Sequence, residues 1–149
     1  MPDFYDIDRA NARLAELNRT LRVLLSVRLE LIQVRTRIVE LNLPQPVTGG
    51  ASSGAASSPA GAGHPEVDAE TSRLRMRMQG LVDQMQAAVI EIDSWGIVLR
   101  DIQTGLVDFP ALVAGRQVWL CWRLGEDEVG WWHELSEGFG GRRRLEDLV

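Results

Sequence analysis

The sequence predicts an α+β fold, mainly α, in which a long antiparallel, coiled-coil-like helical hairpin packs with a small C-terminal antiparallel β-sheet. Three observations predict it. Apolar residues recur at helical spacing in two long segments, a stretch with little to pack separates them, and after Gly96 the period turns from helical to alternating. A chain of 149 residues is the size of one domain. Its 45% hydrophobic and 25% charged residues are the composition of a folded protein rather than a disordered one.

The first helix is expected over residues 6–42. Asp6 is placed to accept from the first free amides and Asp8 to complement the positive end. Ala10, Leu14, Leu17, Leu21, Leu24, Leu31, Val34, Ile38 and Leu41 then recur at three- and four-residue steps. Leu25, Leu29, Ile32 and Val39 form a second stripe beside the first. Two stripes are wider than one antiparallel partner requires, which predicts a homo-oligomer, most simply a homodimeric bundle. Arg28 and Arg35 fall where the main stripe would continue, and are expected to pair with buried carboxylates or to fix register. Pro44 ends the helix after roughly 35 residues, or about 50 Å.

Residues 43–65 are rich in Gly, Ser, Ala and Pro and read as a flexible linker, with His64 solvated. A second helix is expected over 66–95, carrying Val67, Leu74, Met78, Leu81, Met85, Val89, Ile92 and Trp95 near one face. Gly96 is placed to cap it, and Gly80 suggests close approach of another helix. Residues 96–137 then read as a small sheet of three strands, with breaks at Gly105, Pro110 and Gly115. Residues 138–149 form a Gly/Arg-rich tail.

Four of the five tryptophans, the only cysteine and one of the two histidines fall between Val118 and Arg144. "RQVWLCWRL" alternates, and "GEDE" turns into "VGWWHEL". A turn centred on Glu126–Asp127 sets Leu120 opposite His133. That register places Val118, Leu120, Trp122, Leu124, Val129, Trp131 and Leu135 on a core face, with His133 among them. Cys121 and His133 then point to opposite faces and cannot share a metal ion, so no metal or other cofactor is expected. Cys121 reads as a buried thiol, and His133 as a core histidine bonded to a carboxylate or carbonyl. The opposite face gathers Trp119, Arg123, Trp132 and Glu134, with Arg123 paired to Glu134. Extended by Arg142 from the tail, these are the candidate ligand-binding residues. His133 and Glu134 are the candidates for proton transfer, but no complete catalytic constellation assembles.

A net charge of −5 disfavours a general nucleic-acid binder. From Arg9 to Arg37, seven arginines nonetheless face two glutamates, and Arg73, Arg75 and Arg77 follow on the second helix. After position 90, eleven acids face six arginines, so the helices and the C-terminal part are expected to attract each other, within the molecule or across a dimer. A single cysteine, an N-terminus unlike a signal peptide and no run of ~18 apolar residues predict a cytoplasmic protein without a membrane span.

Two stretches resemble a known family. "YDIDRANARLAEL" places an aromatic residue before a capped helix with an Ala-Asn pair, at Tyr5, Ala10 and Asn11. "GLVDFPALVAGRQVWLCWRLGEDEVGWWHELSEGFGGRRRL" carries D-F-P, G-R-x-V, L-C-W, G-E-x-E, W-H-E and G-F-x-G-R elements. Together they resemble the uncharacterised bacterial family catalogued as domain of unknown function 2203. The resemblance implies no reaction, cofactor or partner. It directs attention to Asp108, Arg116, Cys121, Trp122, Arg123, Glu126, Glu128, His133, Glu134 and Arg142. The function expected from the whole is that of a small interaction or scaffold protein self-associating through its helices. The alternatives are a ligand-binding protein or enzyme with its site at the Trp-rich hairpin, and nucleic-acid binding through helix arginines.

Overall fold

The computed structural model describes residues 4–44 and 64–148. Of the expected linker, only its first two and last two residues fall in this range. Two long helices are present, α1 (Ile7–Asn42) and α2 (Pro65–Ser94). The Arg9 amide donates to Asp6 Oδ1 at 2.7 Å, so α1 starts where its capping residue predicts. Pro65 opens α2, a position where its missing N–H costs nothing. Gly96 closes the second helix at φ 74°, in the left-handed region.

The chain divides into two compact units, one formed by Met1–Arg28 with Gln84–Val149 and the other by Leu29–Asp83. In the second unit the helices run antiparallel. Arg77 pairs with Glu30, Arg37 reaches Glu70 at 3.6 Å, and Asn42 Nδ2 donates to Thr71 Oγ1 at 3.2 Å. Val34 and Leu81 are buried there. A Cβ built on Gly80 meets nothing within 4 Å, so the close helix approach expected at that glycine is absent. Arg35 is exposed, Arg28 in the first unit is partly buried, and neither makes an ion pair among the described residues.

The first unit holds a five-stranded antiparallel meander, larger than the three strands expected: β1 (Val98–Asp101), β2 (Leu106–Val113), β3 (Arg116–Arg123), β4 (Trp131–His133) and β5 (Arg143–Arg144), in that spatial order. β2 and β3 are joined by Ala114 and Gly115, both at positive φ (51° and 77°), the mark of a two-residue turn that follows strand twist. Pro110 does not break β2. Its carbonyl accepts from the Tyr5 amide at 2.7 Å, away from β3, so its missing N–H lies on the side where β1 has ended. One sheet face carries Val107, Phe109, Ala111, Val118, Leu120, Trp122 and Trp132, which share one core with Leu17, Leu21, Leu24, Ala88 and Ile92 of the helices. Tyr5 seals an edge of this core, with its ring edge-on to Phe109 and its hydroxyl donating to Trp95 O.

Candidate functional site

The Trp-rich hairpin is paired one residue away from the expected register. Trp119 lies opposite His133, Leu120 opposite Trp132, and Cys121 opposite Trp131. A one-residue slip moves every side chain of β4 to the other face. Trp132 therefore enters the core, while Trp131 and His133 join Trp119 and Cys121 on the opposite face. Leu135, expected inside, is half exposed. The cause is the connection between β3 and β4, which is no tight turn. The Trp122 indole N–H donates to Glu126 O at 3.0 Å, and the Arg123 amide to Glu126 Oε1 at 2.7 Å. The Val129 amide donates to Asn11 Oδ1 on α1 at 2.8 Å, burying Val129 on the core side.

The slip divides the expected ligand face. Trp119 and Arg123 share only a face of β3, Trp132 is in the core, and Glu134 pairs with Arg116 at 2.7 Å instead of Arg123. Arg123 is exposed, lies 5.6 Å from the Phe139 ring centroid, and borders a cleft of about 200 Å³ with Asp101, Thr104, Leu106 and Phe139. The tail folds back onto the hairpin through Arg142. Arg142 reaches Glu126 Oε1 at 2.6 Å and lies 4.8 Å from the centroids of both Trp131 and Phe139, with its side chain 9% exposed. Arg143 and Arg144 form β5, and the Trp132 indole N–H donates to Arg144 O at 3.2 Å.

The same slip creates a cluster that the expected register forbids. Asp108 is paired across strands with Cys121, and His133 lies diagonally beyond, so all three project from one face. Their relative exposures are 1%, 0% and 2%. The expectation that Cys121 and His133 point apart is therefore wrong, and with it the geometric reason for excluding a shared ion. His133 Nδ1–H donates to Glu134 O at 2.9 Å, since a carbonyl only accepts. Its Nε2 lies 2.9 Å from Asp108 Oδ1, and Asp108 Oδ2 accepts from Arg100 Nε at 2.8 Å. Arg100, which sequence reasoning did not single out, also lies 5.0 Å from the Trp119 ring centroid. Its position in a β-bulge, where the register shifts between Leu99 and Asp101, carries no visible sequence signal.

Burial of polar groups is costly unless each is hydrogen-bonded. Here both carboxylate oxygens and both ring nitrogens have partners, as expected for His133 as a core histidine. Cys121 is the buried thiol that the sequence suggested. Desolvation, then the negative charge of Asp108, pushes its pKa up to about 12, so the bare cluster holds a protonated and unreactive sulfur at neutral pH.

The helices carry a second candidate surface. In the Leu29–Asp83 unit, Leu29, Ile32, Val39 and Leu43 are 58%, 45%, 52% and 55% exposed. With Thr36 they step 3, 4, 3 and 4 residues along one line. Of the ten helix arginines, five have polar partners among the described residues. Arg9 donates to Phe4 O, Arg13 pairs with Glu16, Arg22 donates to Asn18, and Arg37 and Arg77 bridge the helices. Among the described residues no helix is long and apolar enough to cross a membrane.

The family described as uncharacterized conserved protein (DUF2203) matches residues 3–145. No curated protein and no solved structure matches the chain. The family match spans both candidate surfaces and nearly all of the sequence. The chain belongs to the DUF2203 family.

Proposed function

We propose that this is a cytoplasmic interaction or scaffold protein that self-associates through α1 as a parallel homodimer. The observation that carries the reading is the exposed line Leu29, Ile32, Thr36, Val39 and Leu43. Alternating steps of three and four residues average 3.5, the spacing that keeps a seam facing a partner helix in a left-handed coiled coil. A second copy offers the same spacing. Taking Leu29 as position a and Ile32 as position d, Arg35 falls at g and Glu40 at e. In a parallel pair Arg35 of one chain meets Glu40 of the other. In an antiparallel pair arginine would meet arginine, so the flanking charges favour the parallel arrangement. The cytoplasmic assignment is supported by a lone, buried cysteine.

Cross-linking tests the seam and its direction together. In a Cys121→Ser background, Val39→Cys should oxidise rapidly to a disulfide-linked dimer, because equivalent seam positions face each other in a parallel pair. Met76→Cys, on α2 and 76% exposed, should stay monomeric under the same conditions. Equal rates for the two would remove the proposal.

A further inference from the structure

We propose that Asp108, Cys121 and His133 form a binding site for a divalent cation of borderline softness, with Zn(II) the best fit. Their carboxylate oxygen, thiol sulfur and imidazole nitrogen lie within 4.8 Å of one another. A tetrahedral ion with bonds of about 2.0–2.3 Å requires ligand separations of about 3.3–3.8 Å, so a movement on the order of 1 Å closes the set. The three side chains come from adjacent strands, whose register brings them to one face.

His133 gives an independent reason to place a cation here. Its Nδ1–H is committed to Glu134 O, which leaves Nε2 directed at Asp108 Oδ1 at 2.9 Å. Two lone pairs face each other at that distance unless a positive species, a proton or a metal ion, joins them. Metal-binding histidines use this same arrangement, with the outer nitrogen fixed by a carbonyl so that the inner one is free to ligate. Asp108 is oriented in a similar way, because Arg100 holds Oδ2 and leaves Oδ1 turned toward His133.

The charges also match. A thiolate, a carboxylate and a neutral imidazole carry two negative charges, which a divalent cation cancels, so the buried complex is neutral. Binding would form bonds from the metal to sulfur, nitrogen and oxygen and release two protons to solvent, the Cys121 thiol proton and the one shared by His133 Nε2 and Asp108 Oδ1. Sulfur and imidazole nitrogen select against Mg(II) and Ca(II), which take oxygen ligands. Three protein ligands leave a fourth tetrahedral position for water.

Titration of the full chain with Co(II), followed by displacement with Zn(II), tests the site. The expected result is a thiolate-to-cobalt charge-transfer band that saturates at one equivalent, disappears on adding Zn(II), and is absent from Cys121→Ser. Loss of a hydrogen bond to a ligand alone costs about 10–100-fold in metal affinity, so loss of the thiolate should weaken Zn(II) binding at least that much. The fold of Cys121→Ser is checked by its circular dichroism. The wild-type titration stands without the variant. No charge-transfer band, or a band that persists in Cys121→Ser, overturns the proposal. So does a ¹⁵N spectrum of Zn(II)-treated protein in which both His133 ring nitrogens remain protonated.

Discussion

The buried polar cluster on the sheet and the exposed flank of α1 invert the usual placement of polar and apolar groups. Around Asp108 a carboxylate, an imidazole and a thiol are almost fully removed from water. Along α1 and one residue past its end, Leu29, Ile32, Val39 and Leu43 are left about half in it. The first arrangement persists because each polar group has a partner: Arg100 and His133 for Asp108, and Glu134 O for the imidazole. The second has no partner among the described residues. A satisfied polar cluster shapes the fold from inside, whereas an unsatisfied apolar line asks for something outside the chain. Changes at the two regions should therefore register in different measurements, stability for one and assembly for the other.

The largest effect is expected at Asp108. Asp108→Ala strands His133 Nε2 in a dry site and removes the partner of Arg100, which should cost about 3–5 kcal/mol in urea unfolding. A loss below about 1 kcal/mol would mean that the cluster is wetter or looser than described. Next is Arg142→Ala, which removes the ion pair organising the β3–β4 connection and exposes Trp131. It should cost about 1.5–3 kcal/mol, the range for hydrogen bonds to charged groups. The double change Leu29→Glu with Ile32→Glu should behave oppositely. Measured at a dilution where only monomer is present, each substitution should alter stability by no more than about 0.5 kcal/mol, while assembly at higher concentration is lost.

The smallest effect near neutrality concerns Cys121. Its thiol ionises at about 12 in the folded, metal-free chain against an ordinary value of 9.0. Above pH 9.0 the unfolded chain therefore releases a proton that the folded chain retains. Stability is unaffected by this group below that pH and falls as pH rises through the interval to about 12. Cys121→Ser should remove that alkaline component, as seen by comparing the pH dependence of urea midpoints with wild type.

The helices were legible because their signals are local. Asp6, Pro44 and Gly96 act on the backbone within a turn of where they stand, and the leucine stripe repeats often enough to average out exceptions such as Arg28 and Arg35. The exposed stripe was legible for the same reason. The hairpin register was not, and the tryptophans explain why. Trp131 and Trp132 are adjacent, so either register puts one indole into the core, and the alternation cannot choose between them. The choice is made by contacts distant in sequence: Asn11 on Val129, Arg142 on Glu126, and the tail strand under Trp132. Asp108 belonged to the resembled signature, but its partners follow from the register and from a bulge at Arg100. The polar cluster thus appears only once tertiary pairing is known.

The central claim, that α1 carries a seam for a second copy, is tested most directly by sedimentation equilibrium of the full chain across micromolar concentrations. The account predicts a mass approaching twice the 16.6 kDa chain for wild type and 16.6 kDa for the Leu29→Glu, Ile32→Glu protein. A wild-type mass of 16.6 kDa at every concentration, or an assembly that survives both substitutions, would contradict it.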